Sequence, residues 1–572
     1  MSRHLLPLGM ALAALLGTAT PAAAQSLPYG DVGDSSSDAS GDASSGEAPK
    51  SGGRGPHLRL SPYIEAAQVV TAELSPGDDV LTYSMIAAGV DTGFSGRNNA
   101  GSLSLRYERR FGWGSRAADS DTISGVARVA AAIVPRTLTL EAGAMAARSS
   151  IQNNGAAVPG GVDLGGSSTQ VYSLYAGPSL STMAGDVALE GHYRLGYTRV
   201  ESPDAVVLAP GQQALDVFDD SVVHNASIHA GTRAGDPLPV GLGVGAGYNR
   251  EDVSNLDQRV EDVHVRGDVT LPVSQQLALV GGVGWEKVQV SSRDVLRDGA
   301  GLPVIGADGR YVTDKSAPRQ LAYDVEGLIW DAGVIWRPSR RTSLEAHVGR
   351  RYGSTTWYGT FAYAPNARSS FNVSVYDNIT GFGGQVNSAL ARLPTEFEAI
   401  RNPLNGNLGG CVSAQNTGQA QAGQGNCLTS VLGSVRSSVF RARGVMATYG
   451  LNLGRLQTGI GAGYDRRKFI AAPGTILASA NGVVDENTWM AAYLNGRLGE
   501  NSRFTTNTYL NWYHSGEALA GDVTGFGANA AYYHDLTRNL TATAAVGLDG
   551  VQREQLQDAW FTSLLVGLRY SF

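Results

Sequence analysis

Apolar and polar residues alternate with a period of two over many short stretches of this chain. In the stretch 503–513, Phe504 and Trp512 occupy even-numbered positions, whereas Asn507 and Asn511 occupy odd-numbered positions. Because successive side chains of a β-strand point to opposite faces, this stretch predicts a strand with one apolar and one hydrogen-bonding face. Such a strand suits a wall that separates lipid from water.

Stretches of this kind recur from near residue 58 to the end of the chain and predict about 22 strands. An even number of this size lies within the range of single-chain bacterial barrels. The sequence therefore predicts an all-β fold, a transmembrane antiparallel β-barrel formed by residues 58–572. The predicted strands lie near 58–73, 81–93, 101–111, 122–133, 137–148, 169–182, 186–199, 221–233, 239–249, 259–270, 277–291, 321–336, 341–350, 355–363, 369–377, 440–452, 457–468, 487–497, 503–513, 522–533, 540–548 and 561–572.

The connections between the predicted strands alternate between short and long. Residues 134–136, 183–185 and 338–340 form tight turns with Pro or Gly where the backbone must reverse. An outer-membrane barrel keeps short turns in the periplasm and long loops outside the cell, so the alternation places both chain termini in the periplasm. The long connections lie at 149–168, 200–220, 292–320, 378–439, 469–486 and 549–560.

The last predicted strand resembles the C-terminal signal by which bacterial outer-membrane barrels are recognised for insertion. Every second residue from the end is apolar, and the terminal Phe follows another aromatic residue by two positions. The resemblance implies two partners, the barrel-assembly machinery during biogenesis and outer-membrane lipid around the mature protein. The residues that carry this signal are Leu564, Val566, Leu568, Tyr570 and Phe572.

The first residues of the chain predict export from the cytoplasm. A basic start precedes an apolar run that ends in small residues, with a cleavage site between Ala24 and Gln25. Residues 1–24 are therefore interpreted as a signal peptide. The segment 25–57 is rich in Ser, Gly and Asp without an apolar period, which predicts a disordered periplasmic leader. Together with the barrel, these features predict the outer membrane of a Gram-negative bacterium.

Composition narrows the classes of partner. The chain has 572 residues and a formal net charge of -7. A nucleic-acid-binding face would be basic, so the sequence predicts no nucleic-acid partner. Cys411 and Cys427 are the two cysteines, and their position in one Gly-, Asn- and Gln-rich stretch of an exported chain predicts a disulfide. This disulfide would tie the segment 378–439, the candidate for a loop that folds into the lumen and restricts it.

The contexts of two further motifs argue against a cofactor or a metal ion. Glycines in 241–247 and 459–463 form Gly-x-Gly runs, but a dinucleotide site needs a strand, a turn and a helix around them. On a strand, alternate glycines leave the inner face bare, which gives the lumen room or lets a loop pack against the wall. Asp298, Asp308 and Asp314 share one loop, but their spacing matches no calcium-binding loop. The sequence predicts no cofactor and no metal site.

Two groups of residues have side chains suited to acyl transfer. Ser343, Glu345 and His347 point inward on one predicted strand, but successive inward side chains lie about 7 Å apart, whereas a nucleophile and its base must approach to about 3 Å. His514 and Ser515 lie at a predicted outer end, where lipid- or protein-cleaving barrels keep their active sites. A polar lumen accounts for the first group without chemistry, and the sequence predicts no catalytic residue.

Three features occur together in the stretch 321–380. An aromatic-x-Pro-Ser turn at 336–339 is followed by an Arg-Arg-Tyr-Gly corner at 350–353 and by Tyr363 near the end of the next strand. This combination resembles the uncharacterised outer-membrane proteins found with exopolysaccharide and exosortase (PEP-CTERM) gene clusters. The resemblance implies a role at the cell surface with polysaccharide as a partner, and it carries over no catalytic residue.

The fold and the resemblance together predict a passive outer-membrane channel, or an accessory component, for exopolysaccharide export or biosynthesis. A wide lumen lined by Gly, Thr, Asn, Tyr and Arg would offer weak, repeated contacts to a sugar chain. Three alternatives stay open on the sequence alone. They are a general diffusion porin for small solutes, an outer-membrane enzyme that modifies lipid or protein, and a structural surface protein with a closed lumen.

Overall fold

The wall of the protein is a closed ring of 22 antiparallel β-strands. In the computed structural model, each wall strand pairs with its neighbour along the chain, and β1 (His57–Ser75) pairs with β25 (Ala559–Ser571) to close the ring. The prediction of an outer-membrane β-barrel of about 22 strands is therefore confirmed. The structure describes residues 57–114, 119–151, 156–159, 168–201, 220–235, 238–414, 428–517, 521–554 and 557–572.

The other wall strands are β2 (Val80–Ser95), β3 (Asn99–Trp113), β4 (Ser120–Val134), β5 (Leu138–Ile151), β7 (Ser168–Ala184), β8 (Val187–Glu201), β9 (Asp220–Thr232), β10 (Gly241–Val253), β11 (Gln258–Pro272), β12 (Leu277–Ser292), β13 (Gln320–Ser339), β14 (Thr342–Arg351), β15 (Ser354–Asn366), β16 (Ser369–Thr380), β19 (Phe440–Asn452), β20 (Leu456–Phe469), β21 (Val484–Arg497), β22 (Ser502–His514), β23 (Val523–Asp535) and β24 (Leu540–Arg553). The connections contain β6 (Ala157–Pro159), β17 (Phe397–Arg401), β18 (Leu408–Ala414), the helices α1 (Phe382–Ala391) and α2 (Thr429–Leu432), and two 3₁₀ turns at Asn255–Asp257 and Ile476–Ala480.

Several predictions made for the ends and the cysteines fall outside the described residues. They concern the signal peptide, its cleavage between Ala24 and Gln25, the leader up to residue 56, and Cys427. The backbone of Cys411 belongs to β18, but its side chain is also outside the described part of the chain. Among the described residues, no helix has the length and the apolar character needed to cross a membrane.

The two ends of the barrel differ in the length of their connections. At one end, here called the short-turn end, the wall strands are joined by connections of two to eight residues. At the opposite, long-loop end, the connections include 293–319 and 381–439. Six connections at the long-loop end are nevertheless no longer than eight residues, at 76–79, 114–119, 254–257, 352–353, 515–522 and 554–558. The last of these was predicted as a long connection at 549–560, but β24 and β25 extend into that range. The alternation predicted from turn residues is present, with these exceptions.

The two faces of the wall differ in polarity as the alternation predicts. On β25, Leu564 and Val566 face outward and are exposed, whereas Ser563 and Leu565 face inward and are buried. On β22, the same alternation of faces places Trp512 on the outer face, where it is exposed. Six aromatic residues near the ends of the strands also face outward and are exposed. They are Trp336, Tyr363 and Phe572 toward the short-turn end, and Trp285, Tyr464 and Trp512 toward the long-loop end.

Inward-facing glycines accommodate long side chains of neighbouring strands. A Cβ on Gly243 would lie 2.7 Å from a carboxylate oxygen of Asp268, and a Cβ on Gly463 would lie 2.7 Å from the indole nitrogen of Trp489. These approaches are closer than a Cβ tolerates, so the long side chains lie flat on the bare backbone. At these positions the alternate glycines serve side chains of the wall itself.

The Arg-Arg-Tyr-Gly corner is a two-residue hairpin turn between β14 and β15. Tyr352 and Gly353 both have positive φ, 52° and 64°. Two central residues with positive φ favour Gly at one of them and match the right-handed twist of the flanking strands. The local backbone therefore accounts for Gly353 in this corner.

Substitution at one of two glycines on β13 tests the close packing of the inner face. A Cβ on Gly333 would lie 2.6 Å from His347 Cε1 and 2.7 Å from the backbone oxygen of Ala346, whereas a Cβ on Gly327 would meet nothing within 4 Å. We expect Gly333→Val to lower the free energy of unfolding by about 1–3 kcal/mol, the cost of overpacking. Urea titration of the folded barrel measures this change, and Gly327→Val is the control with little effect. Equal loss in both variants would contradict the explanation.

Candidate functional site

The connection between β16 and β19 folds into the barrel instead of extending away from it. We call its described residues, 381–414 and 428–439, the plug segment. It contains α1, the hairpin formed by β17 and β18, and α2. Contacts with inward-facing residues of many strands place it inside the lumen, as predicted for the loop at 378–439. Its helices were not predicted.

One side of the plug segment packs on an apolar area of the wall. This area comprises inward side chains of β4, β5, β7 and β8, among them Val126, Met145 and Tyr175. Nine aliphatic or aromatic side chains of the plug segment are buried in the same cluster. They are Phe382, Val386, Leu390, Leu393, Leu408, Leu428, Val431, Leu432 and Val435. Their burial contributes on the order of 10 kcal/mol, which is comparable to the stability of a whole domain. The plug segment is therefore part of the folded core.

The carboxylate of Glu251 on β10 holds the start of α1. It accepts hydrogen bonds from the backbone nitrogens of Gly381 and Gly384, at 2.6 and 2.9 Å. It also accepts hydrogen bonds from the hydroxyl groups of Ser221 and Thr380, both at 2.8 Å. Glu251 is fully buried. A negative charge at a helix N-terminus satisfies free N–H groups and opposes the positive end of the helix dipole, so this contact fixes α1 to the wall.

A glycine in the wall makes room for the middle of α1. Asn387 lies over Gly196 of β8, where a Cβ would come within 2.6 Å of the Asn387 side chain. The Asn387 amide donates hydrogen bonds to Thr198 Oγ1 and to the backbone oxygen of Gly383, both at 3.0 Å. The helix thus approaches the strand closely enough for direct polar contact.

The hairpin of the plug segment crosses to other parts of the wall. The guanidinium of Arg401 donates hydrogen bonds to the hydroxyl groups of Ser104, at 2.9 and 3.2 Å, and Ser124, at 2.6 Å. Asn507 on β22 donates to the backbone oxygen of Arg401 at 3.1 Å. Leu404 at the hairpin tip is buried among inward residues of β1, β2 and β23–β25. The plug segment therefore contacts walls on several sides of the lumen.

The returning chain, 433–439, is held at the long-loop end. The guanidinium of Arg436 lies 3.1 Å from Asp485 on β21. Arg467 on β20 donates to the backbone oxygen of Ser434 at 2.7 Å. These contacts bring the chain back into β19 beside the strands it left.

A chain of charged side chains lines the wall from β9 to β14. The side chain of His229 lies 3.0 Å from Asp268, and Arg266 donates to Asp268 at 3.1 Å. Arg266 also donates to Asp331 at 2.7 Å, and His347 Nδ1 lies 3.0 Å from the other oxygen of Asp331. These charges neutralise one another within the wall.

The structure corrects the expected distance between Glu345 and His347. His347 Nε2 lies 3.3 Å from Glu345 Oε1, although the contact lacks hydrogen-bond geometry. The spacing of about 7 Å holds for strand positions, whereas long side chains lean along the strand and meet. Both ring nitrogens of His347 face carboxylates, and its ring stacks on Tyr358 at 4.9 Å. Ser343 is not in this arrangement.

The other candidate residues have local roles. His514 lies 2.8 Å from Asp522, while the hydroxyl of Ser515 accepts the backbone N–H of Glu517 at 3.3 Å. In the loop 293–319, each of the three predicted aspartates accepts a backbone N–H two residues ahead. They are Asp298, Asp308 and Asp314. Such bonds are typical of Asx turns. Within the described part of the chain, no group of three or more His, Cys, Asp or Glu residues could hold a metal ion.

Comparison with known proteins finds similar folds. No family model and no curated protein matches the chain. The closed form of the ferric-catecholate import receptor Fiu from E. coli K12 is 10% identical, with 89% of this chain and 81% of that chain covered and a TM-score of 0.42. The FrpB iron transporter from Neisseria meningitidis (F5-1 variant) is 11% identical, with 89% and 82% covered and a TM-score of 0.42. The copper transporter OprC is 12% identical, with 90% and 81% covered and a TM-score of 0.36. Similarity at this level concerns the fold alone.

The function expected from the sequence is wrong. The similar structures are named as import receptors and transporters for iron or copper. The lumen of this chain also contains a folded segment, whereas a passive polysaccharide channel or a general porin needs a water-filled path. The resemblance of 321–380 to proteins of exopolysaccharide gene clusters stays an untested prediction.

The contacts that fix the plug segment were missed because they join distant parts of the sequence. Glu251 and Arg401 carry no motif. A signal for α1 was present, since Phe382, Val386, Leu390 and Leu393 repeat at the spacing of one helix face.

Weakening the contact between Glu251 and α1 tests how the plug segment is held. Glu251→Gln replaces one acceptor oxygen with a donor that opposes the N–H groups of Gly381 and Gly384. We expect backbone amides of α1 to exchange with deuterium at least about tenfold faster, because a hydrogen bond to a charged group is worth about 1.5–3 kcal/mol. Glu261→Gln, on the outward face of β11, is the control. Unchanged exchange in α1 would show that Glu251 does not hold it.

Proposed function

We propose that this chain is a gated transport protein of the outer membrane, in which movement of the plug segment opens a path for a solute. The observation that carries the proposal is the plug segment itself, which contacts several sides of the lumen and is continuous with two adjacent wall strands. A segment tethered in this way is able to move and return without leaving the protein. Such a gate differs from a passive channel because the path depends on its position.

The positions of the anchors support uptake as the direction of transport. The bonds of Glu251 to α1 and the ion pair between Arg436 and Asp485 lie near the ends of β10 and β21 at the long-loop end. A solute that enters from this end meets these contacts before it reaches the hairpin tip. It is therefore placed to compete for the polar groups that hold the plug segment.

The orientation in the membrane follows from the turns. We propose that the short-turn end faces the periplasm and the long-loop end faces the outside, as in other outer-membrane barrels. Outer-membrane lipid would surround the apolar outer face. The barrel-assembly machinery would recognise the end of β25, where Tyr570 and Phe572 face outward and are exposed.

Single-channel recording with a locked plug segment tests the proposal. Thr198 on β8 and Asn387 on α1 are in contact, so Thr198→Cys with Asn387→Cys would lock α1 to the wall. The background carries Cys411→Ser and Cys427→Ser to remove competing thiols. We expect the unlocked protein to show transient openings in planar bilayers under mild urea, and the oxidised double-cysteine variant to show none until a reductant is added.

A deletion variant provides the reference for an open lumen. Replacing 383–437 with a short Gly-Ser linker should raise conductance at least about tenfold, because a 22-stranded barrel without a plug encloses a wide aqueous lumen. If the deletion conducts but the unlocked protein never opens and behaves like the locked variant, the gate does not exist. If the deletion does not conduct, the plug segment is not what closes the lumen.

A further inference from the structure

Three buried charged residues lie next to α1 on the side of the short-turn end. They are Arg128 on β4, Glu141 on β5 and Arg194 on β8, with 2%, 4% and 8% of their surfaces exposed. Arg128 Nη2 donates to Glu141 Oε2 at 3.4 Å, and Arg194 Nη2 lies 3.8 Å from the same oxygen. The other oxygen of Glu141 accepts the hydroxyl of Ser179 at 3.3 Å. Two guanidinium groups therefore share one carboxylate, which leaves one positive charge in excess.

Several donors in this group have no acceptor. Nε and Nη1 of Arg128, Nε and Nη1 of Arg194 and the hydroxyl of Tyr175 are buried without a hydrogen-bond partner among the described residues. A buried donor without an acceptor is unfavourable, and more so when it is charged. Five such atoms in one place, together with the excess charge, indicate that a group from outside the described chain supplies the missing acceptors.

Other buried arginines of the same lumen do not show this deficit. Arg266 donates through Nε, Nη1 and Nη2 to Asp331 and Asp268. Arg106 likewise donates through Nε, Nη1 and Nη2 to Glu65 and Glu108. At these two arginines the wall provides carboxylates for all three nitrogens, whereas at Arg128 and Arg194 two nitrogens of each guanidinium lack a partner among the described residues.

We propose that Arg128, Arg194 and Tyr175 form an anion-binding site that receives the carboxylate of a transported solute. Guanidinium groups donate paired, charge-assisted hydrogen bonds to an oxyanion, and the hydroxyl of Tyr175 adds a donor. Glu141 orients both arginines through a single shared oxygen and leaves their other edges free. This inference rests on the proposed transport function and assigns its solutes to the class of organic anions. A free inorganic anion has the same chemistry and is the other source to be distinguished.

Bromide tests whether the site binds an anion at all. Crystals of the full, plugged protein soaked in sodium bromide should show an anomalous peak within hydrogen-bonding reach of Arg128 Nη1 and Arg194 Nη1. Arg194→Gln removes a charged donor pair, so the bromide concentration needed for half occupancy should rise at least about tenfold. Arg194→Lys keeps the charge and should retain a weaker peak.

Arg569→Gln is the control for the loss of a lumenal arginine. It removes an arginine that is paired with Asp91, and it should leave the peak unchanged. The absence of a peak in the unmutated protein would overturn the proposal.

Binding of a matched solute pair to the full protein distinguishes an organic anion from an inorganic ion. Succinate and its uncharged diamide, succinamide, have nearly the same size. In calorimetric titrations of the folded full-length protein, we expect Arg194→Gln to lower the affinity for succinate about tenfold relative to that for succinamide. An unchanged ratio with bromide still bound would mean an adventitious ion only and would overturn the assignment to organic anions. Neither measurement requires the plug segment to move, so failure here is separate from failure of the gating mechanism.

Discussion

Closure of the ring by backbone hydrogen bonds is the constraint on which the rest of the structure depends. In the hydrocarbon region no water satisfies a free N–H or C=O group, so a sheet that crosses a membrane must leave no open edge. The pairing of β1 with β25, from Tyr63 with Ser571 to Ser75 with Trp560, meets this requirement. At 22 strands the closed wall encloses a lumen wider than its own side chains fill, so chain or water must occupy the interior. In this protein the plug segment, which is part of the same chain, occupies the interior.

The inner face of the wall is charged and self-paired in one area and apolar, in contact with the plug segment, in another. From β9 to β14, charges are paired across strands, and long side chains lie on glycines such as Gly243. On β5, β7 and β8, the inner face is apolar where α1 packs, and Gly196 admits Asn387. The lumen therefore contains one area of wall that packs against the plug segment and another whose charged side chains are paired with one another. Arg128 and Arg194 lie beside the first area and belong to neither pattern.

Local signals in the sequence predict the wall, because strand period and turn chemistry act over a few residues. The parity of Leu564 and Val566 and the hairpin at Gly353 are examples. Plug contacts could not be predicted in this way, since Glu251 meets Gly381 across 130 positions and Arg401 meets Ser104 across 297. The proximity of Glu345 and His347 was missed because the distance between strand positions does not limit the distance between side-chain tips. The function was misjudged because the expectation rested on short turn and corner motifs, and at Gly353 the backbone conformation alone accounts for the residue.

The balance of contacts indicates which part of the plug segment moves in the proposed transport. Nine apolar side chains of the plug segment are buried in the cluster that includes β4, β5, β7 and β8, whereas the hairpin tip buries one leucine, Leu404. Arg401 is held to the wall by hydroxyl and carbonyl groups of Ser104 and Ser124, and water or a solute replaces such acceptors at little net cost. Burial of one leucine is worth about 1.5–3 kcal/mol, against on the order of 10 kcal/mol for the apolar area. Displacement of the tip is therefore the easier movement. Release of α1 from β8 is the harder step, and it has to follow before the lumen beside Arg128 and Arg194 opens.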